Sequence, residues 1–158
     1  WTAAQFDPSL SWNDVKWIKD LWQGKLIIKG IIDPEDAQMA VDAGADAVIV
    51  SNHGGRQLDG APASIDALPQ IVSQIGDQAC EIWMDGGIRS GQHIFKALAL
   101  GATATLIGRS YIYGLGAMGQ PGVTKALHIL RNELDLTMAF CGLRDIHEVS
   151  DKVIWRSN

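Results

Sequence analysis

Four short apolar runs, separated along the chain by helical segments, constrain this fold more than any other feature. They are Leu26 to Ile31, Ala47 to Ser51, Glu81 to Met84 and Thr103 to Ile107. Each reads as apolar on both faces, which suits parallel strands covered by helices rather than half-exposed antiparallel strands. The segments between them carry helix punctuation. Asp33-Pro34-Glu35-Asp36 offers an N-cap, a proline at the first helical position and acids in the first turn. Ala37, Ala40, Val41 and Gly44 follow on one face, with Gly44 as the stop. Asp66 is expected to open a second helix, with Leu68, Ile71, Val72 and Ile75 inward and Gly76 closing it. Ser90 is expected to cap a third, with Ile94, Ala97 and Leu98 inward and Gly101 ending it. A fourth helix is placed over about residues 123–140, and an earlier one over about residues 12–22. A helix followed by four βα units implies a parallel sheet with right-handed crossovers. Two architectures satisfy that order: a doubly wound sheet, or half of an eight-stranded (β/α)8 TIM barrel. The polar tail after Cys141 is expected to pack as a short helix and arm.

The 158 residues suffice for one domain, and 47% hydrophobic with 20% charged residues is the composition of a globular protein. A formal charge of −5 with no basic stripe argues against nucleic acid as a partner. Cys80 and Cys141 make no disulfide framework, and both are read as buried free thiols in a reducing compartment. No apolar run approaches the roughly 18 residues needed to span a bilayer. The chain opens on Trp1 rather than Met, and is expected to be a piece of a longer protein.

Gly114-Leu115-Gly116-Ala117-Met118-Gly119 spells the dinucleotide pattern G-x-G-x-x-G. That pattern works directly after a strand, opening a helix, with an acid beyond the next strand. Here it lies past the strand and leads into one long helix. It is read as a small-residue helix or turn packed closely on a neighbour.

The chemistry concentrates where strands end. The third run leads into Asp85-Gly86-Gly87-Ile88-Arg89, and the fourth into Gly108-Arg109. Glycine lets backbone N–H groups approach an anion, a helix N-terminus adds partial positive charge, and arginine adds a two-pronged donor. Two adjacent strands built this way point to one phosphate held between them. βα barrels frequently hold phosphate after the seventh and eighth strands; if these are those two strands, this chain is the carboxyl half. The bland alternative is an ion pair between Asp85 and the arginines at the rim. The first two strands supply Lys29, in Ile27-Ile28-Lys29-Gly30, and His53 with Arg56, in Ser51-Asn52-His53-Gly54-Gly55-Arg56. Arg56 is suited to clamp a carboxylate, a contact worth roughly 1.5–3 kcal/mol. His53 stands at a strand end and can act as a base near neutral pH. His93, His128 and His147 lie on helices or in the tail and read as structural. Lys29 sits in a run too apolar to leave an ammonium unpaired. The ring of a reduced flavin would be a suitable partner, as would a carboxylate in a missing half.

The stretch from Ser51 to Asp59 closely resembles the signature of the FMN-dependent L-2-hydroxy acid dehydrogenases and oxidases. That family includes bacterial L-lactate dehydrogenase, glycolate oxidase and mandelate dehydrogenase. The likeness extends through Lys29-Gly30, residues 33–37, residues 85–89 and residues 97–102, and covers nearly the whole chain. It implies a TIM barrel of which residues 1–158 are the carboxyl half of a single FMN-binding domain, strands five to eight with their helices. It implies FMN as cofactor and oxidation of an L-2-hydroxy acid (lactate, glycolate or mandelate type) to the 2-oxo acid. By resemblance, His53 is the catalytic base and Arg56 pairs with the substrate carboxylate. Lys29 contacts the N1/C2-carbonyl edge of the flavin, and Ser51 bonds the FMN. Asp85, Gly86, Gly87, Ile88 and Arg89 surround the ribityl chain and phosphate, and Gly108 and Arg109 complete the phosphate cup. No metal is expected. The other half of the barrel is an expected partner, and a homo-oligomer, tetrameric in the family, is expected. Residence is expected in the cytoplasm, with peripheral attachment to the inner membrane through a segment outside this chain. The alternatives are a different FMN barrel, such as an IMP-dehydrogenase-like relative, or a half-barrel that only binds a phosphate-bearing ligand or needs its amino-terminal half for activity. Substrate side chain and electron acceptor are not encoded in these motifs.

Overall fold

A computed structural model describes residues 7–155, so the last three residues of the expected terminal arm lie outside it. Helix α1 (Trp12–Trp22) leads into β1 (Ile27–Ile31), followed by α2 (Pro34–Asp42), β2 (Ala47–Val50), α3 (Ser64–Ile75), β3 (Glu81–Met84), α4 (Gly91–Ala99), β4 (Ala104–Thr105), α5 (Arg109–Met118) and α6 (Gln120–Phe140). The four strands are all parallel and lie side by side in chain order, β1-β2-β3-β4. A doubly wound sheet reverses its strand order at a switch point. This sheet does not reverse, so right-handed crossovers place the connecting helices on one side, as in a βα barrel.

The core follows from that winding. Ile31, Val48, Val50, Ile82 and Met84 point to the helices, where they meet Ala37 and Ala40 of α2, Leu68, Ile71 and Ile75 of α3, and Ala97 of α4. Lys29, Ile49, Trp83 and Ala104 are in register across the sheet on the alternate face. None of these four belongs to the core cluster. The runs are therefore apolar on both sides, as expected, but helices cover only one; the second face is the one a closed barrel would turn inward.

Local signals place most element ends. Asp33 accepts from the N–H groups of Glu35 and Asp36, Pro34 occupies the first turn, and Gly44 takes φ of 88° just beyond α2. Ser90 caps α4 through the His93 N–H. Three expectations need correction. Helix α3 starts at Ser64 with Ala63 as N-cap, and Asp66 lies inside its first turn, where an acid still favours the helix dipole. The ladder of β4 is regular only over Ala104–Thr105; single bonds from Thr103 N–H to Ile82 O and Leu106 N–H to Met84 O extend it. Cys80 is buried, but Cys141 at the end of α6 is exposed; both are free thiols. Burial pushes the Cys80 thiol up, the nearby Asp46 and Glu81 charges acting in the same direction.

The G-x-G-x-x-G stretch forms the second half of α5 and the turn into α6. A Cβ on Gly122 would lie 1.8 Å from the Gly114 carbonyl oxygen, so these glycines let two helix backbones touch. The polar tail forms two short 3-10 turns, Ile146–Glu148 and Asp151–Val153.

Candidate active site

The carboxyl ends of all four strands open into one cavity of about 340 Å³. Its lining includes Lys29, His53, Arg56, Asp85, Gly86, Gly87, Ile88, Arg89, Gly108 and Arg109. Of the residues singled out in sequence, only Ser51 is not in that lining; it is buried directly beneath, its Oγ 2.8 Å from Lys29 Nζ.

Lys29, in the middle of β1, is held in an ion pair. Its Nζ lies 2.9 Å from Asp85 Oδ2 and donates to Ser51 Oγ. The anionic partner expected for this ammonium thus lies within the chain, after β3, and Asp85 pairs with Lys29 rather than with the rim arginines. The lysine side chain is 43% exposed and the aspartate 19%. Asp85 Oδ1, in contrast, is buried and has no hydrogen-bond partner among the described residues. A buried carboxylate oxygen in that state is an acceptor waiting for a donor.

The loop after β2 is tightly wound. His53, Gly54 and Gly55 take φ of 55°, 66° and 71°. For histidine this left-handed backbone costs about 1–2 kcal/mol, which neighbouring contacts must offset. They are visible: Ser51 Oγ accepts from the His53 N–H, Asn52 Oδ1 accepts from the Gly54 N–H, and Asn52 Nδ2 donates to Pro62 O. The Asn52 N–H in turn donates to Ser64 Oγ, which is buried at the start of α3. The result presents His53 and Arg56, both exposed, to the cavity mouth.

The other wall is glycine and arginine. Gly86 and Gly87 have φ of 90° and 78°, and a Cβ on Gly86 would lie 2.9 Å from Ser64 Oγ. Arg89 precedes α4, and Arg109 is the first residue of α5, whose N-cap Gly108 supplies no side-chain cap. The Arg89 N–H donates to His93 Nδ1, and Ser110 Oγ donates to Ile88 O. The Gly91 N–H donates to Glu133 Oε2, fastening α4 to α6. Arg109 Nη2 reaches across to the Gly54 carbonyl at 3.1 Å. Two guanidiniums, an uncapped helix start and positive-φ glycines fit a phosphate ester, and the orphaned Asp85 oxygen beside them fits a hydroxyl-bearing chain. The residues present therefore fit FMN.

Asn52, Ser64, Ser110 and Glu133 were not among the residues singled out. Asn52 had a local signal, an Asx side chain two residues before a glycine N–H in a turn. The others act across the fold and have none.

A sequence model described as FMN-dependent dehydrogenase matches residues 1–156. An L-lactate dehydrogenase of Caulobacter vibrioides (strain NA1000 / CB15N) is 51% identical over 154 residues, 98% of this chain and 40% of that protein. The crystal structure of the monotopic membrane protein (S)-mandelate dehydrogenase superposes with a TM-score of 0.93 at 42% identity, covering 99% of this chain and 41% of its own. Mandelate oxidase with 3,3-difluoro-2-hydroxy-3-phenylpropionic acid superposes with a TM-score of 0.87 at 42% identity, covering 93% and 44%. The solved relatives are TIM-barrel FMN enzymes, and the parallel α/β unit described above corresponds to less than half of such a barrel. The chain spans about two fifths of the length of the relatives it matches. Sequence model, identity and fold agree: this chain belongs to the FMN-dependent dehydrogenase family.

Proposed function

We propose that residues 1–158 are the carboxyl half of one FMN-binding barrel domain, and that the intact protein oxidises an L-2-hydroxy acid of the lactate, glycolate or mandelate type to the 2-oxo acid. The observation that carries this reading is the convergence of Lys29, His53 and Arg56 on the same cavity as the two glycine-arginine turns. FMN, when bound, would supply the oxidant, taking the two electrons and one of the two protons that leave the substrate, so that one proton is released to the protein. Asp85, Gly86, Gly87, Ile88, Arg89, Gly108 and Arg109 would hold its ribityl and phosphate portions, with Ser51 and Lys29 on its ring side. Arg56 binds the substrate carboxylate through two parallel N–H donors and so orients the reacting carbon. An imidazole nitrogen of His53 accepts the proton released during oxidation. Lys29, held by Asp85 and Ser51, keeps a fixed positive charge beside the place where negative charge develops.

The names of the relatives, lactate and mandelate enzymes, support the substrate class. The amino-terminal half of the barrel is the required partner, and a homo-oligomer is the proposed assembly. No helix among the described residues is long and apolar enough to cross a membrane. One relative is a monotopic membrane protein. Cytoplasmic residence, with peripheral attachment through a segment outside this chain, is the matching proposal. The test is colour. The intact protein is expected to be yellow and to bleach when an L-2-hydroxy acid is added without an electron acceptor. A flavin spectrum that ignores lactate, glycolate and mandelate would remove the catalytic reading.

A further inference from the structure

Arg109 joins the two ends of the cavity. It opens α5 directly after Gly108, on the wall that fits a phosphate ester. Its Nη2 nevertheless donates, at 3.1 Å, to the carbonyl of Gly54 in the loop that carries His53 and Arg56. A Cβ on Gly54 would lie 3.4 Å from the same nitrogen, so loop and guanidinium also touch. The other hydrogen bonds to residues 53–56 come from Ser51, Asn52 and His53, all within the same stretch of chain. Among the described residues, Arg109 is the only residue at another strand end that bonds residues 53–56 directly; Lys29 reaches the loop only through Ser51.

We propose that Arg109 is a positioning residue that couples occupancy of the phosphate end of the cavity to carboxylate binding at Arg56. The inference rests on the FMN reading given above. A guanidinium has five N–H donors in a fixed plane, so a phosphate monoester can take one edge while Nη2 keeps the Gly54 carbonyl. An anion held there restrains the guanidinium, and through it three consecutive left-handed residues whose backbone aims His53 and Arg56. The carboxylate therefore binds tighter when the phosphate end is filled, and by linkage the carboxylate tightens the phosphate in equal measure.

A lysine at position 109 keeps a charge for the phosphate, but one ammonium cannot span both partners as a planar fork does. The intact protein and its Arg109→Lys variant are compared with free FMN in saturating excess. The probe is 2-hydroxy-2-methylpropanoate, a 2-hydroxy acid without an α-hydrogen, which binds but cannot be oxidised. Its dissociation constant is read from the change in flavin absorbance, and amide hydrogen exchange is followed at Gly54, Gly55 and Arg56. The variant is expected to take up FMN, to bind the acid at least about fivefold more weakly, and to exchange faster at those three amides with Val48 and Ile82 unchanged. Unaltered affinity for the acid at FMN saturation overturns the coupling and leaves Arg109 a phosphate ligand. Weaker affinity with equal acceleration at Val48 and Ile82 overturns it as well, because general loosening then accounts for the loss. Wild-type protein that takes up no FMN, or whose flavin ignores the acid, instead removes the function on which the coupling rests.

Discussion

Lys29 Nζ lies 2.9 Å from Asp85 Oδ2, although β2 runs between the strands that carry them. Ser51, at the end of that middle strand, accepts from the same ammonium at 2.8 Å. One cation thus ties the ends of three parallel strands on the side where the cavity opens. The pair is unequally exposed, and that inequality gives it a direction.

Removing Lys29 leaves a mostly buried carboxylate without its cation, whereas removing the charge of Asp85 leaves an ammonium that reaches water. Lys29→Met is therefore expected to destabilise the intact protein more than Asp85→Asn. The exposed lysine screens the pair, so Asp85→Asn should cost about 1 kcal/mol or less, and Lys29→Met about 1–3 kcal/mol. Urea unfolding of both variants and of the double variant checks the order; equal losses would count against it.

His53→Gln keeps the size and a hydrogen-bonding end of the side chain but has no basic nitrogen. Turnover of a 2-hydroxy acid by the intact protein is expected to fall at least about a hundredfold, with FMN retained. Steady-state rates alongside the flavin-to-protein absorbance ratio measure both. Near-normal turnover would show that the base is elsewhere.

Arg56→Lys replaces a planar fork by a point charge. Affinity for the substrate carboxylate is expected to drop about tenfold or more, while FMN affinity changes little. Titrating both ligands into the variant separates the two, and a loss confined to FMN would reassign Arg56 to the cofactor.

Asp46 anchors the opposite end of the sheet. It accepts from Lys19 at 2.6 Å, from Lys25 at 2.8 Å and from the Leu26 N–H at 2.8 Å, fastening α1 to the strands. These bonds hold its carboxyl well below the usual carboxylate range, the Lys19 and Lys25 bonds contributing most. A folded-state pKa below the unfolded value of about 3.9 means that the folded protein binds fewer protons. The stability Asp46 supplies is then fully present above that unfolded value and fades as pH falls through the lower folded one. The stability gap between wild type and Asp46→Asn should hold at pH 7 and at pH 5 and shrink on acidification below about pH 4. Denaturant midpoints across that range test the sign.

Gly116, in the small-residue stretch, and Gly122, in the first turn of α6, should respond in opposite ways. A Cβ at Gly122 would meet the Gly114 carbonyl and must push α5 and α6 apart, while one at Gly116 meets nothing within 4 Å. Gly122→Ala is expected to destabilise by about 1–3 kcal/mol. Gly116→Ala, inside α5, should stabilise by about 0.5–1 kcal/mol through helix propensity. Thermal melts of the two variants decide whether packing or backbone freedom explains each glycine.

The local order of this protein is written in its sequence, because apolar runs, caps and helix stops act over a few neighbouring residues. Asp33-Pro34, Ser90 and the four runs announce where helices and strands begin, and the motifs at residues 51–56, 85–89 and 108–109 announce where anions should gather. Asp66 shows the limit of such signals: the helix starts two residues earlier, and Ser64, at that start, accepts a hydrogen bond from the Asn52 N–H across the loop. Tertiary structure alone decided that the strands lie in chain order, because pairing depends on crossover geometry rather than on any one strand's composition. It alone joined Lys29 to Asp85 and Arg109 to Gly54, residues separated by more than fifty positions in each case. Such contacts arise only when strand ends meet at one mouth, and no short-range pattern in a chain carries information about distances set by the closing of a sheet.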